Sequence, residues 1–245
     1  MKKLTPQGVY KLYDKGVQFN TQIGLYDTIT KNENFFIGKQ WEGVESNGLP
    51  TPVFNFLKRV TLFQIATISS DNISMQATPL SSTSEYSLGD LEQIADVMNK
   101  QFAELFERNK VVTKVREFMR NAAVDGDGAT YSWFDPDMET GQDAKGGIVT
   151  EIIENNRVIF GNPNDKHVQE QPWIIIPMRK QVDYVKKLAE KNGVKKEDIE
   201  TIQPDETEYT SQMDQLTDDR VTLLLYFYKN DDTGTVWSMK CTRNL

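Results

Sequence analysis

The stretch over 34–68 constrains this chain most, because it sets two apolar clusters on either side of a loop marked by glycine and proline. Its first half gathers Phe35, Phe36, Ile37 and Trp41 around Gly38, so a short buried segment must turn sharply there before the polar loop over 43–52. The second half reads as a helix over 51–68. Thr51 is a favourable N-cap, and Pro52 takes the first helical position, where a missing N–H costs no hydrogen bond. Val53, Phe56, Leu57, Val60, Phe63 and Ile68 then fall near helical spacing, and Phe54, Leu62, Ile65 and Ala66 widen the stripe almost all round. This pattern predicts a mostly buried helix. Asn55 lies inside it and needs hydrogen-bond partners, which a neighbouring backbone would supply. As anchor of the aromatic cluster, Trp41 is expected to cost roughly 3–5 kcal/mol when truncated to alanine.

Upstream, Pro6 opens a helix whose Val9, Tyr10, Leu12, Tyr13 and Val17 form a modest stripe, weakened by Gly16 and Gly24, and 23–31 leads on to the aromatic cluster. Downstream, Ile73, Met75 and Ala77 alternate with polar residues and predict a half-exposed strand over 72–79. A serine-rich linker follows over 80–87. Ser87 or Asp90 then caps a long helical pattern in which Leu91, Ile94, Met98, Phe102 and Leu105 recur every three or four residues. It resumes through Val115 and Ala122, giving one bent helix over 88–124 or two with a break at 108–110. Such a stripe is core or subunit contact.

The pattern ends at Asp125-Gly126-Asp127-Gly128. A calcium loop counted from Asp125 needs glycine sixth and an acid twelfth, and it finds Thr130 and Pro136. No Gly-Lys-Ser/Thr follows to cradle a phosphate. The run is a helix-to-strand turn. From Ala129 the period becomes strand-like: a strand over 129–134, a polar loop over 135–147, and a hairpin of 148–153 with 157–160. A loop over 161–171, a short strand over 173–177 and an amphipathic helix over 180–191 come next. The acidic run 195–219 reads as a solvated face, and 221–228 is the strongest strand in the chain. It turns at 230–234 into 235–241. The fold class is therefore α+β, with long helices packed on a mostly antiparallel sheet and a C-terminal β-hairpin. Residues 1–128 are mainly helical, and 129–245 are strand-rich with one amphipathic helix.

Of 245 residues, 38% are hydrophobic and 26% charged, the balance of a soluble globular chain. No run approaches the roughly 18 apolar residues of a membrane span, so no membrane role is expected. Cys241 has no second cysteine to pair with, and His167, the one histidine, lacks the companions of a zinc set. Asp125 with Asp127, or Asp135 with Asp137, supply paired acids of the kind hydrolases use, but beside glycine and proline they are ordinary turn chemistry. No enzyme, metal or cofactor is expected. The net charge of −8, from 36 acids against 28 bases, argues against a tight grip on nucleic acid. Loose passage of DNA past a repulsive wall remains compatible with it.

Phe36, Gly38, Gln40 and Trp41, followed by Pro52 and Asn55, resemble the aromatic-x-Gly-x-Gln-Trp element, then a Pro and an Asn leading a long helix, of portal proteins of tailed double-stranded DNA bacteriophages. A helix running into Gly126-x-Gly128 and a strand, with Asn162, Pro163 and Asp165 before Pro172-Trp173, is similar to the strand-rich part of the portal wing. The resemblance implies a structural ring of about twelve subunits at one capsid vertex. Through it DNA is packaged and ejected, and it joins head to tail. Implied partners are a terminase motor, capsid and tail adaptor proteins, and DNA passing loosely; the implied location is the virion, after assembly in the host cytoplasm. Portal subunits are usually longer, so this chain is expected to be one structural unit, chiefly the wing, of a longer chain. The alternative is a soluble α+β binding or adaptor module of another assembly, which mass would distinguish by giving a monomer or dimer.

Overall fold

The computed structural model describes residues 4–69, 74–79, 87–141, 145–165, 167–205, 219–230 and 233–245. In chain order the elements are α1 (Pro6–Gln22), α2 (Leu25–Ile37), α3 (Phe56–Ile68), α4 (Leu88–Arg108), α5 (Val111–Asp125), β1 (Ala129–Asp135), β2 (Gly147–Ile153), β3 (Ile159–Phe160), β4 (Trp173–Gln181), α6 (Val182–Lys191), α7 (Lys196–Ile199), β5 (Arg220–Lys229) and β6 (Val236–Cys241). They form the expected α+β fold, with one antiparallel sheet of β1 and β2 and a second in the order β3-β4-β5-β6. Two compact units result, one of Asp27–Asn155 and one of Met1–Tyr26 with Asn156–Leu245.

In the unit that holds both termini, β5 is the central strand and is buried on both faces. Leu224, Tyr226 and Tyr228 meet Val9, Tyr10, Tyr13 and Val17 of α1, while Val221 and Leu223 meet Val185 and Ala189 of α6 together with Ile202. This double burial explains why 221–228 reads as a near-continuous apolar run. α1 begins where proline allows, with the Thr5 hydroxyl accepting from the Gly8 N–H at 3.2 Å. Gly16 does not weaken this helix so much as let it approach the sheet: a Cβ there would lie 2.1 Å from Ile159 Cγ2. The segment 23–31 continues as helix α2 after Gly24 turns the chain at φ +69°.

Several expectations are corrected. The strand 148–153 pairs with β1, Trp133 opposite Val149, while Asn155–Arg157 form a short 3₁₀ turn and β3 pairs with β4. The seven-residue match of β1 and β2 outweighs a hairpin that could pair only two residues of β3. β4 runs on to Gln181, through Pro177. Its missing N–H is harmless there, because β3 reaches only Ile174 and Ile175 and leaves that edge of β4 open. The acidic run is partly structural: Ile202 is buried, and the Asp205 carboxylate accepts from the Thr222 N–H at 2.9 Å and from Arg179. Residues 206–218 of that run lie outside the described residues, as do 80–86 of the linker.

In the unit of Asp27–Asn155, α5 packs on α3, α4 and β2. The Ser87 side chain accepts from the Asp90 N–H at 3.3 Å and the Asp90 carboxylate accepts in return, a reciprocal cap for α4. The break between α4 and α5 falls where expected, at Asn109 and Lys110, with Lys110 left-handed at φ +50°. Residues 74–79 form no strand. Asn99 instead gives Ala77 a side-chain substitute for a ladder, its Oδ1 accepting from the Ala77 N–H at 2.7 Å and its Nδ2 donating to the carbonyl at 3.3 Å. The other two residues of the expected strand, 72 and 73, lie outside the described residues.

Candidate functional site

The residues that carry the motif meet at the corner between α2 and α3. α2 ends in a Schellman closure: the Gly38 N–H donates to the Phe35 carbonyl at 3.3 Å and the Lys39 N–H to the Asn34 carbonyl at 2.7 Å. Gly38 takes φ +90°, which glycine alone adopts without strain, and a Cβ there would sit 3.3 Å from both Asn55 Nδ2 and Val53 Cγ1. The sharp turn expected at Gly38 is therefore present. Its surroundings are less buried than expected, with Phe35 47% and Ile37 49% exposed and Phe36 half-buried.

Asn55 is the N-cap of α3 rather than an interior residue. Its Oδ1 accepts from the Lys58 N–H at 3.1 Å, and its Nδ2 donates to the Phe36 carbonyl at 2.8 Å. One carboxamide thus satisfies an orphan carbonyl at the end of α2 and an orphan N–H at the start of α3. The expected tie to a neighbouring backbone is there, and it draws the helix start from 51–52 to Phe56. Pro52 stands before the helix and uses its carbonyl to accept from Trp41 Nε1 at 3.0 Å. Trp41 is 41% exposed, so it is a hydrogen-bonded clasp over the loop and not a buried anchor. Gln40 is half-buried beside it.

Phe36 faces two cations, Lys58 Nζ at 5.6 Å and Arg120 Cζ at 5.1 Å from its ring centroid. Arg120 in turn donates to Glu33 at 2.6 Å and to Asn121 Oδ1 at 3.3 Å, which ties α2 to α5. Asp125 lies in the same charge field. Burial pushes its carboxyl above the usual range, Glu33 and Glu154 add to that, and Arg120 opposes it.

The helix α3 leading from this corner is not mostly buried. Ile65 alone among its residues is buried, whereas Phe56, Leu57, Val60 and Phe63 are 65%, 59%, 55% and 72% exposed. Its inner side rests on α5, and the rest of its apolar stripe finds no cover within the described residues. The apolar periodicity was a correct helix signal but carried no information on whether the cover comes from the same chain.

The other residues weighed for chemistry sit in structural roles. Asp135 Oδ1 accepts from the Asp137 N–H at 3.0 Å, which makes this acid pair a turn. The His167 N–H donates to Asp165 Oδ1 at 2.9 Å at the start of a 3₁₀ turn, and its side chain is exposed. Cys241 is buried, and burial alone pushes its thiol up to about 12, far from a reactive thiolate. Among the described residues no group of three His, Cys, Asp or Glu is placed to hold a metal ion, and no helix is long and apolar enough to cross a membrane.

Sequence reasoning missed Asn109. Its side chain is buried and closes the outer edge of β2: Nδ2 donates to the Ile148 carbonyl at 2.8 Å and Oδ1 accepts from the Thr150 N–H at 3.1 Å. A polar amide at the break of a long apolar pattern was the available signal.

Comparison with known families places the chain among the structural proteins of phages. The profile of the family described as phage P22-like portal protein matches residues 18–242, and the chain belongs to that family. It is a phage portal protein, associated with the virion. A search of curated proteins gives no match.

Proposed function

We propose that this chain is a subunit of the portal ring at one capsid vertex, through which double-stranded DNA enters during packaging and leaves at infection, and which joins head to tail. The family match over residues 18–242 carries this reading. The exposed apolar side of α3 supports it, since such a surface on a soluble chain is the mark of an assembly contact. The net charge of −8 suits a channel wall that must let DNA slide. The role is structural and non-catalytic. Its partners are further copies of the chain in a ring of about twelve, closed by head-to-tail contacts. A terminase motor and capsid and tail adaptor proteins complete the set, with assembly in the host cytoplasm. The motif residues Phe36, Gly38, Gln40, Trp41, Pro52 and Asn55 serve this role by fixing the angle at which α3 leaves α2.

Immunogold labelling of intact virions with an antibody against this chain tests the reading. One labelled vertex per particle, at the tail junction, is the expected result. Label over the whole capsid, or none, would contradict it.

A further inference from the structure

The chain contains two Asn-Gly pairs, Asn47-Gly48 and Asn192-Gly193. Such a pair carries its own chemistry, because glycine has no side chain to keep its backbone nitrogen from reaching the asparagine carboxamide. Both pairs are exposed, so access to water does not separate them. Hydrogen bonding does. At the end of α6 Asn192 Nδ2 donates to the Leu188 carbonyl at 2.7 Å and the Gly193 N–H to the Glu190 carbonyl at 3.0 Å, which holds both groups that would react. The Asn192 N–H also donates to the Leu188 and Ala189 carbonyls and fixes this residue as the C-cap. At Asn47-Gly48 neither group is held: among the described residues no hydrogen bond joins the Asn47 carboxamide or the Gly48 N–H. The pair forms the tip of a type I′ turn, with Asn47 at φ +47° and Gly48 at φ +80°. One bond closes that turn, from the Leu49 N–H to the Ser46 carbonyl at 2.8 Å.

We propose that Asn47 is a site of spontaneous covalent modification in the folded protein, converting to aspartate and isoaspartate while Asn192 is spared. Opening the turn breaks one backbone hydrogen bond in an exposed loop and lets Asn47 rotate into reach of its neighbour. The Gly48 nitrogen then attacks Asn47 Cγ and gives its proton to solvent base. The Cγ–Nδ2 bond breaks, and the nitrogen leaves as ammonia with a proton taken from water. Water next opens the five-membered imide by breaking one of its two ring C–N bonds. Attack at Cγ restores the ordinary main chain with an aspartate side chain, whereas attack at the main-chain carbonyl routes the chain through Cγ as isoaspartate. The sum is amide plus water to acid plus ammonia, with no change of oxidation state. Either product adds a negative charge to a loop that already carries Glu42 and Glu45. Isoaspartate also lengthens the main chain by one carbon, inside the span that the bond from Trp41 Nε1 to the Pro52 carbonyl closes at 3.0 Å.

The test incubates the full chain, folded, in mildly alkaline buffer, where loss of the glycine amide proton is favoured. Peptide mass spectrometry is expected to find Asn47 converting at least about tenfold faster than Asn192, because freeing Asn192 breaks several more hydrogen bonds. An isoaspartyl methyltransferase with a labelled methyl donor should label the peptide that holds residue 47 and leave the one that holds residue 192 unlabelled. Asn47→Ala should abolish labelling of the folded chain. In urea the two rates should converge, since neither pair is then held. Conversion of Asn47 in urea alone would overturn the proposal by showing that the type I′ turn keeps the pair out of reach. Equal rates at the two pairs in the folded chain would overturn it as well, since the bonds around Asn192 would then protect nothing.

Discussion

The Asn55 carboxamide donates to the Phe36 carbonyl at 2.8 Å while accepting from the Lys58 N–H at 3.1 Å, so one side chain closes the end of α2 and the start of α3 together. Removing it by Asn55→Ala leaves both helix ends short of a partner. The loss is expected to be about 1–3 kcal/mol, a cap plus a part-buried unsatisfied carbonyl. Asn55→Asp keeps the cap and loses the donor, so it should fall between wild type and Asn55→Ala. Urea unfolding of the three proteins measures this, and equal midpoints for aspartate and alanine would show that the cap carries none of the effect.

Gly16 sits in mid-helix, where alanine is ordinarily favoured by about 1 kcal/mol. Here the approach of α1 to Ile159 reverses the sign, because a new methyl would lie 2.1 Å from Ile159 Cγ2. Gly16→Ala is expected to destabilise by about 1–3 kcal/mol, the usual cost of overpacking. Ile159→Ala in the same chain should recover part of that cost, and thermal melts of the single and double variants check the coupling.

Lys110 holds φ +50° between α4 and α5, a region that costs a residue with a Cβ roughly 1–2 kcal/mol. Lys110→Gly is expected to stabilise the chain by about 0.5–1 kcal/mol after glycine's greater loss of chain entropy is counted. The midpoint of denaturant unfolding should rise with an unchanged slope. An unchanged midpoint would mean that the left-handed turn is unstrained.

Asp125 gives a pH dependence whose sign can be worked out. Burial, Glu33 and Glu154 raise its folded pKa above the unfolded value, against the opposing pull of Arg120, so between the two values the folded protein binds a proton more readily than the unfolded chain. Its contribution favours folding below the unfolded pKa of about 3.9 and is lost as pH rises through the folded pKa. Oδ1 of Asp125 is also buried without a hydrogen-bond partner among the described residues. Asp125→Asn is therefore expected to raise the melting temperature at pH 7 and to leave it nearly unchanged at pH 3.5. A higher melting temperature for the native aspartate at pH 7 would show that Arg120 dominates.

Much of this architecture is written locally, and local signals were legible. The two-faced apolar run of β5, the cap at Ser87, the break at Asn109 and Lys110 and the glycine turn after α5 each follow from neighbours within a few residues. What escaped depends on residues far apart in the chain. β2 chose β1 over the nearer β3 by length of match, and Asn109 fills an edge about forty residues away, as its bond to Ile148 shows. The motif was legible as a cluster but not in its roles. Asn55 looked like the interior of a helix because Thr51 and Pro52 offer a start of their own, and only the Phe36 carbonyl decides between them. Trp41 looked like an anchor because tryptophan usually is one. The exposure of α3 escaped for a different reason, since its apolar stripe is the same whether its own chain or another copy covers it.

The central claim is that this chain builds a ring, and imaging the longest natural form of the protein by negative stain at high concentration, beside its native mass, tests it most directly. Closed rings of about a dozen copies around a central hole are the expected result, as head-to-tail contacts that close would give. A monomer or dimer at every salt concentration would contradict the account and favour an adaptor module instead.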